Sequence, residues 1–242
     1  MQKGELGRVV VAAGSGRRFA GARNKPFALL GGKPVLLHSL ETLQRVHPPG
    51  PLVLVHRRED AGEVESLRHQ LDRLGVTRCV AGGAERTDSV RAGVQGLEPD
   101  CSLVLVHDAV RPFPPLRATE QAVAAAARVG AAILAVPVAD TLKRVAGEQV
   151  TETVDRGALV QSQTPQVYNR RALLELLENG ATSQVTDEAM LFEAAGRPVA
   201  WVTGHPWNLK ITTLEDLALA EVLLPLIKTW HHQDERHGSD PS

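Results

Sequence analysis

Only 6 of the 27 basic residues are lysines, and 21 are arginines. A lysine in a glycine-rich turn is therefore more informative than any single arginine. Lys25-Pro26 is so placed, a few residues after Ala12-Ala13-Gly14-Ser15-Gly16-Arg17-Arg18-Phe19, which itself continues an apolar run. Small residues at 12–16 let the backbone approach a ligand closely, and successive free N–H groups can form an anion-binding nest. The stretch is not a Walker A loop, because its second glycine is not followed by Lys and Ser or Thr. Nor is it the dinucleotide fingerprint, since Phe19 fills the third glycine's place. It carries Arg17, Arg18 and Lys25 instead, a set suited to a polyanion. A tight turn with solvated cations is the plain alternative.

Further candidate groups follow further apolar runs. Gly82-Gly83-Ala84-Glu85-Arg86-Thr87-Asp88-Ser89-Val90 can offer backbone groups to a flat base, with Ser89 as a neutral donor or acceptor. Read as structure alone, Asp88 or Ser89 is a helix N-cap. In Val106-His107-Asp108-Ala109-Val110-Arg111-Pro112, an Asp and an Arg appear together where a strand ends. Open α/β sheets bind ligands at that carboxyl edge. An Asp there can face a hydrated divalent ion, and an Arg can fork onto a phosphate. An Asp108–Arg111 ion pair closing the loop is compatible with both.

Then come Asp140-Thr141-Leu142-Lys143-Arg144, Thr153-Val154-Asp155-Arg156, Gln163-Thr164-Pro165-Gln166, Val185-Thr186-Asp187-Glu188-Ala189 and Asn208-Leu209-Lys210-Ile211-Thr212. Taken singly, Thr186 and Thr212 are caps, and Arg144 and Arg156 are solvated charges. Lys210 differs. Leu209 and Ile211 place it in a half-buried segment, where a lysine calls for an anionic partner.

The elements that must position these groups are legible in the apolar pattern. Val- and Leu-rich runs at 8–13, 52–55, 76–80 and 103–106 are largely continuous, as in strands covered on both faces. Helical patterns lie between them at about 35–46, 59–74 and 88–97, and at 115–129 after Pro114 and Pro115. This alternation predicts an α/β fold with a doubly wound, mostly parallel sheet. After a strand at 133–138 the rhythm breaks. Residues 139–168 alternate polar and apolar side chains around a Gly147 turn, which predicts a β-hairpin arm protruding from the body, at about 139–160.

Helices at 170–178 and 187–195, a short strand near 200–203 and a helix at 213–228 complete a single domain, 1–229. Thr212 with Glu215 and Thr213 with Asp216 both have capping-box spacing. The polar, aperiodic stretch 230–242, with His231, His232 and His237, predicts a frayed tail rather than a metal site.

Composition bounds the function classes. A chain of 242 residues with net charge −1 lacks the basic surplus that non-specific nucleic-acid or anionic-membrane binding needs. Any anion site must be local. Its 43% hydrophobic and 23% charged residues are ordinary globular usage. No apolar run approaches the ~20 residues that span a bilayer. Residues Met1 to Gly7 lack the layout of a secretory signal, so a cytoplasmic location is expected. Cys79 and Cys101 form no CxxC pair and read as buried thiols of a reducing compartment.

Together and in order, the AAGSGRR…K loop, GGAERTDSV, HDAVRP, DTLKR, TVDR, QTPQ, VTDEA and NLKIT resemble one family. It is the 2-C-methyl-D-erythritol 4-phosphate cytidylyltransferases of the non-mevalonate isoprenoid pathway, and the match spans residues 8 to about 224. The resemblance implies a Rossmann-like nucleotidyltransferase that moves CMP from CTP to the sugar phosphate and releases pyrophosphate, with Mg²⁺. It implies that Arg18 and Lys25 stabilise the transition state, and that Arg156 and Lys210 position the methylerythritol phosphate. Ala12, Ala13, Gly14, Ser15, Gly16, Gly83 and Ser89 would hold CTP, with Thr164 near it. Asp108, Arg111, Thr141 and Thr186 would lie around the sugar phosphate or, for Asp108, the metal.

The family forms homodimers whose hairpin arms reach across, so Thr141 and Arg156 would complete the neighbouring subunit's site. Family members often carry an acidic residue where Ala84 stands, which leaves base selection here to backbone groups. The second catalytic domain fused on in some members is not expected after residue 229. A phosphate dianion needs no general base to attack. The same loops would serve a cytidylyltransferase for ribitol 5-phosphate or another polyol or sugar phosphate. A module that binds CTP without turnover would share the nucleotide loop.

Overall fold

A strand covered on both faces buries every side chain, and β1 (Leu6–Val11) does so, with its one charged residue, Arg8, donating to the carbonyls of Val46, Pro48 and Gly50. This computed structural model describes residues 6–14, 24–179 and 185–237, with side chains as far as Thr229, Lys228 apart. Leu6 and Val10 of β1 join one apolar cluster, while Val9 and Val11 join another on the opposite face.

The first cluster lies under α1 (Val35–Leu43) and α5 (Leu116–Val129), through Leu36, Leu40, Ala122 and Ala126. The second lies under α4 (Arg86–Gln95) and α6 (Arg170–Asn179), through Val90, Val94, Leu173 and Leu177. Helices on both sides of one sheet make the doubly wound arrangement that the apolar runs predict.

The remaining strands are β2 (Leu29–Leu30), β3 (Lys33–Pro34), β4 (Leu52–His56), β5 (Val76–Ala81), β6 (Leu103–Asp108), β7 (Ala131–Pro137), β8 (Leu142–Ala146), β9 (Gln149–Val154), β10 (Val160–Asn169) and β11 (Ala200–Thr203). The main sheet has the order β11-β7-β10-β6-β1-β4-β5. Pairings are parallel except at β10, which runs antiparallel to both β6 and β7. Between β4 and β5 the expected helix over 59–74 is two short ones, α2 (Ala61–Ser66) and α3 (Arg68–Arg73), broken at Leu67.

Two departures have physical causes. The hairpin arm is real, as β8 paired with β9, but the second half of 139–168 does not belong to it. It returns as β10 to the middle of the main sheet. Alternation hid this strand because its buried side chains are polar and paired. Gln163 donates to the His205 carbonyl at 3.0 Å, Gln166 to Asp187 at 3.0 Å, and the Tyr168 hydroxyl to Gln166 at 2.6 Å. The ladder shifts register between Gln163 and Gln166, where Pro165 has no N–H to give.

At the other end, α7 (Ala189–Ala194) and β11 lead to α8 (Leu214–His237), which runs on into the stretch expected as a tail. The box at its start is the Thr213–Asp216 one. Asp216 accepts from the Thr213 N–H at 2.9 Å, and Thr213 accepts from that of Asp216 at 3.3 Å. Ala220, Leu224 and Ile227 of α8 pack on Leu30, Val35, Phe113 and Ile211, a third cluster that closes the site end of the sheet. Among the described residues, no helix is long and apolar enough to cross a membrane.

Candidate active site

The strand order switches direction beside β1, with β4 on one side and β6 on the other. Open sheets leave a crevice at the carboxyl ends of such strands. A cavity of about 500 Å³ opens there, bounded by Ala12, Ala13 and Gly14 after β1, Gly83 to Arg86 and Ser89 at the start of α4, and Asp108 at the end of β6. Lys25 and Lys210 line it too, although they come from opposite ends of the chain.

The glycine-rich loops at the cavity are fixed locally. Ala12 continues the ladder by donating to the Val55 carbonyl at 2.7 Å, after which the chain leaves the sheet. Among the described residues, a side chain at Gly14 would meet no atom within 4 Å. Gly83 donates its N–H to the Ser89 hydroxyl at 3.2 Å, and that hydroxyl donates to the Glu85 carbonyl at 3.2 Å. Ser89 thus ties the loop to α4 from within the first turn. The N-cap is neither Asp88 nor Ser89, as expected from sequence, but Glu85. Its side chain accepts from the Asp88 N–H while Asp88 accepts from its own.

Asp108 is the electrostatic centre. Lys210 Nζ lies 2.8 Å from its Oδ2, Arg86 Nη2 lies 3.3 Å from its Oδ1, and Arg111 Nε lies 3.9 Å away. Burial raises the Asp108 carboxyl, but Arg86, Lys210 and Arg111 outweigh it and hold the group far below the usual carboxylate range. Arg86 is also clamped by Glu188, which is fully buried. Burial opposes the Arg86 charge, yet Asp108 and Glu188 together hold the guanidinium protonated well above its ordinary value. The anionic partner that Lys210 calls for is therefore Asp108, and the pair behind it is Arg86–Glu188.

A second layer braces this centre. His107, fully buried, lies between the Arg111 carbonyl at 3.0 Å and the Thr164 hydroxyl at 3.1 Å. The carbonyl can only accept, so Nε2 carries the proton and Nδ1 accepts from Thr164. Thr164 accepts in turn from the Asp108 N–H at 3.0 Å. Asn208, also fully buried, donates to the Thr164 carbonyl at 2.8 Å and receives Arg111 on its own carbonyl at 2.7 Å. The strap that carries Lys210 is thereby pinned to β10 and to the β6 loop.

Burial pushes His107 down to about 4, against the pull of the Arg111 carbonyl and Asp108. The unfolded chain binds this proton near pH 6.5 and the folded chain only near 4. Stability should therefore fall by about 3 kcal/mol as pH drops through that window. Urea unfolding across it should show a shallower slope in His107→Gln, which cannot take the proton. An identical slope in both would remove His107 from the acid sensitivity.

Not every expected residue reaches the cavity. Arg111 and Thr164 stand behind it: the Asp108–Arg111 pair is the loop closure the sequence offered, whereas the bracing by Thr164 was not foreseen. Thr186 is exposed, with its hydroxyl donating to Met190 Sδ at 3.1 Å. Thr141 and Arg156 are exposed beside the hairpin, outside the cavity. Ser15, Gly16 and Arg18 lie outside the described residues. Reasoning from sequence also gave no role to Arg86, Glu188 or Asn208. Each was in view within a motif. Arg86 was lost among 21 arginines, and Glu188 passed for an ordinary acid at a helix start.

Residues 6–225 match the family model for 2-C-methyl-D-erythritol 4-phosphate cytidylyltransferase, IspD. A protein of that name from Halalkalibacterium halodurans is 40% identical over 222 residues, 91% of this chain and 97% of that one. The bifunctional enzyme IspD/IspF of Rhodospirillum rubrum is 42% identical over 90% of this chain, which covers 57% of that longer protein. Among solved structures, the 4-diphosphocytidyl-2C-methyl-D-erythritol synthase of Anaerococcus prevotii superposes with a TM-score of 0.80 at 30% identity. That likeness covers 92% of this chain and 96% of the other. The cytidylyltransferase of Thermus thermophilus gives 0.73 at 30% identity, over 90% and 98%.

Proposed function

The chain belongs to the IspD family of 2-C-methyl-D-erythritol 4-phosphate cytidylyltransferases, and on that premise we propose how its cavity carries out the reaction. The enzyme forms 4-diphosphocytidyl-2-C-methyl-D-erythritol from CTP and methylerythritol phosphate, releasing pyrophosphate. In the proposed mechanism a phosphate oxygen of the sugar phosphate attacks the α-phosphorus of CTP in line. The nucleophile is already an anion, so the obstacle is repulsion between two anions rather than a proton. Catalysis then rests on positioning and charge neutralisation.

One observation carries this reading: two lysines remote in sequence line a single cavity that also holds Arg86 and Asp108. CTP would lie along Ala12 to Gly16, Gly83 and Ser89. Ala84 and Glu85 line the cavity, and with no acid at 84 the base would be read by backbone groups. Lys25, with Arg18, would meet the charge building on the α-phosphate. Lys210 would trade Asp108 for the incoming phosphate, leaving Asp108 paired with Arg86 and Arg111.

Among the described residues there is no cluster of three or more His, Cys, Asp or Glu able to hold a metal. The cavity's carboxylates are Asp108 and the N-capping Glu85. That donor set fits a Mg²⁺ held largely by triphosphate oxygens and water, with Asp108 as its protein ligand. Such an ion would supply neutralisation of the leaving pyrophosphate. Pyrophosphate release should be seen for CTP with methylerythritol phosphate. Equal release with ribitol 5-phosphate or glucose 1-phosphate would contradict the assignment.

The arm supports a shared site. Val145 and Val150 on it are 62% and 63% exposed, apolar surface that a second subunit would cover. In a homodimer, Thr141 and Arg156 would complete the partner's cavity around the sugar phosphate. Arg156→Ala should then weaken apparent affinity for methylerythritol phosphate roughly ten- to hundredfold, with CTP little affected. Mixed dimers of Arg156→Ala and Lys25→Ala chains should regain one working site of two. No recovery above either parent would argue against sharing.

A further inference from the structure

The turn that carries Lys25 is held in place from a distant part of the chain. Lys25–Phe27 form a single 3-10 turn, anchored by the buried Pro26 and Phe27. Asn24 caps it: its Oδ1 accepts from the Lys25 N–H at 3.0 Å, and its own carbonyl accepts from the Phe27 N–H at 2.9 Å. An asparagine amide can point either way, and only with its oxygen toward Lys25 does it cap this turn.

Asp60 settles the direction. It ends the short turn Arg58–Asp60 after β4, is 5% exposed, and accepts from Asn24 Nδ2 at 2.7 Å. An ionised carboxylate offers no donor, so the amide nitrogen turns to Asp60 and the oxygen is left for Lys25. Arg57 locks the carboxylate with a fork, Nε to Oδ2 and Nη2 to Oδ1, both at 2.9 Å. Burial raises Asp60, but the bonds from Arg57 and Asn24 keep it below its ordinary value and ionised at neutral pH. An ion pair meant only to close the Arg58–Asp60 turn would have no need of the residue next to Lys25.

We propose that Asp60 is a positioning residue for cytidylyl transfer: through the Asn24 amide it fixes the turn from which Lys25 enters the cavity. The proposal rests on the reading of Lys25 as a transition-state cation. Small misplacements of such a group are costly, because its benefit depends on alignment with the reacting phosphate.

The test compares kcat and KM for the wild type, Asp60→Asn, Lys25→Ala, the Asp60→Asn/Lys25→Ala double variant and the exchange Asn24→Asp/Asp60→Asn. Asp60→Asn should lower kcat about ten- to hundredfold with both KM values nearly unchanged. On the Lys25→Ala background it should cost nothing further. The exchange should recover part of the loss, since the new carboxylate at 24 accepts from the Lys25 N–H and from the new amide at 60, whose nitrogen gives up the Arg57 Nε bond while its oxygen keeps the one from Nη2.

If Asp60→Asn does not fold by circular dichroism, Asn24→Ala takes its place, because it leaves the Arg57–Asp60 pair whole. An unchanged kcat, a loss that persists undiminished without Lys25, or a folded exchange variant that recovers nothing would each overturn the proposal. Near-normal turnover in Lys25→Ala alone would overturn the reading of Lys25 and the proposal with it, and that single variant tells the two failures apart.

Discussion

Lys25→Ala should lower kcat by about 10²–10³, the scale of losing one preorganised group aimed at charge that develops in the transition state. The loss should fall on turnover more than on CTP binding. Ala12 is held by the Val55 carbonyl and Gly83 by the Ser89 hydroxyl, and these bonds in the backbone that would hold the nucleotide do not use the Lys25 side chain. Lys25→Met separates charge from bulk: it keeps an apolar stem and drops the ammonium, so it should fall about as far as alanine. Steady-state kinetics in both substrates check this. Turnover within a few-fold of wild type would remove Lys25 from the mechanism and leave the remaining cations to carry it.

Arg86→Ala should be the costliest single change to stability. It leaves Glu188 fully buried without its partner and strips Asp108 of one of three cations. Breaking a buried pair by removing one side typically costs about 3–5 kcal/mol, which for a chain of this size lowers Tm by roughly 6–20 °C. Burial already pushes Glu188 above its ordinary value even with Arg86 present. Without the guanidinium, its folded pKa rises further above the unfolded one. A group raised in that way contributes stability at pH below its unfolded pKa and loses it as pH climbs through the folded pKa. The gap between variant and wild type should therefore narrow from pH 8 to pH 5, and Arg86→Ala/Glu188→Gln should recover part of it at pH 8. A gap that is small and independent of pH would mean the pair does not hold this end of the fold together.

What the sequence makes legible here is what depends on neighbours in sequence. The continuous run of β1 reveals a strand with two covers, because Leu6 and Val10 serve one helix layer while Val9 serves the other. The small residues at 12–14 stand at the cavity wall as the glycine pattern suggests, and the isolation of Lys210 between Leu209 and Ile211 correctly calls for an anionic partner.

What stays hidden depends on partners far along the chain. β10 reads as arm because Gln163, Gln166 and Tyr168 look like surface until the bonds of Gln163 to His205, Gln166 to Asp187 and Tyr168 to Gln166 are known. Arg86 meets Glu188 across 102 residues, and Asn208 meets Thr164 across 44. No spacing rule encodes either contact. Thr141 and Arg156 are linked to a cavity by family resemblance alone, since the site proposed for them belongs to a second subunit.

Catalysis as proposed requires positive groups from distant segments to converge on two anions that repel each other. The direct measurement is a crystal structure with methylerythritol phosphate and a non-hydrolysable CTP analogue bound together. Lys25 Nζ should lie within hydrogen-bond distance of an α-phosphate oxygen, and Lys210 Nζ should have left Asp108 for the sugar phosphate. Both substrates seated, with either ammonium turned away from them, would contradict it.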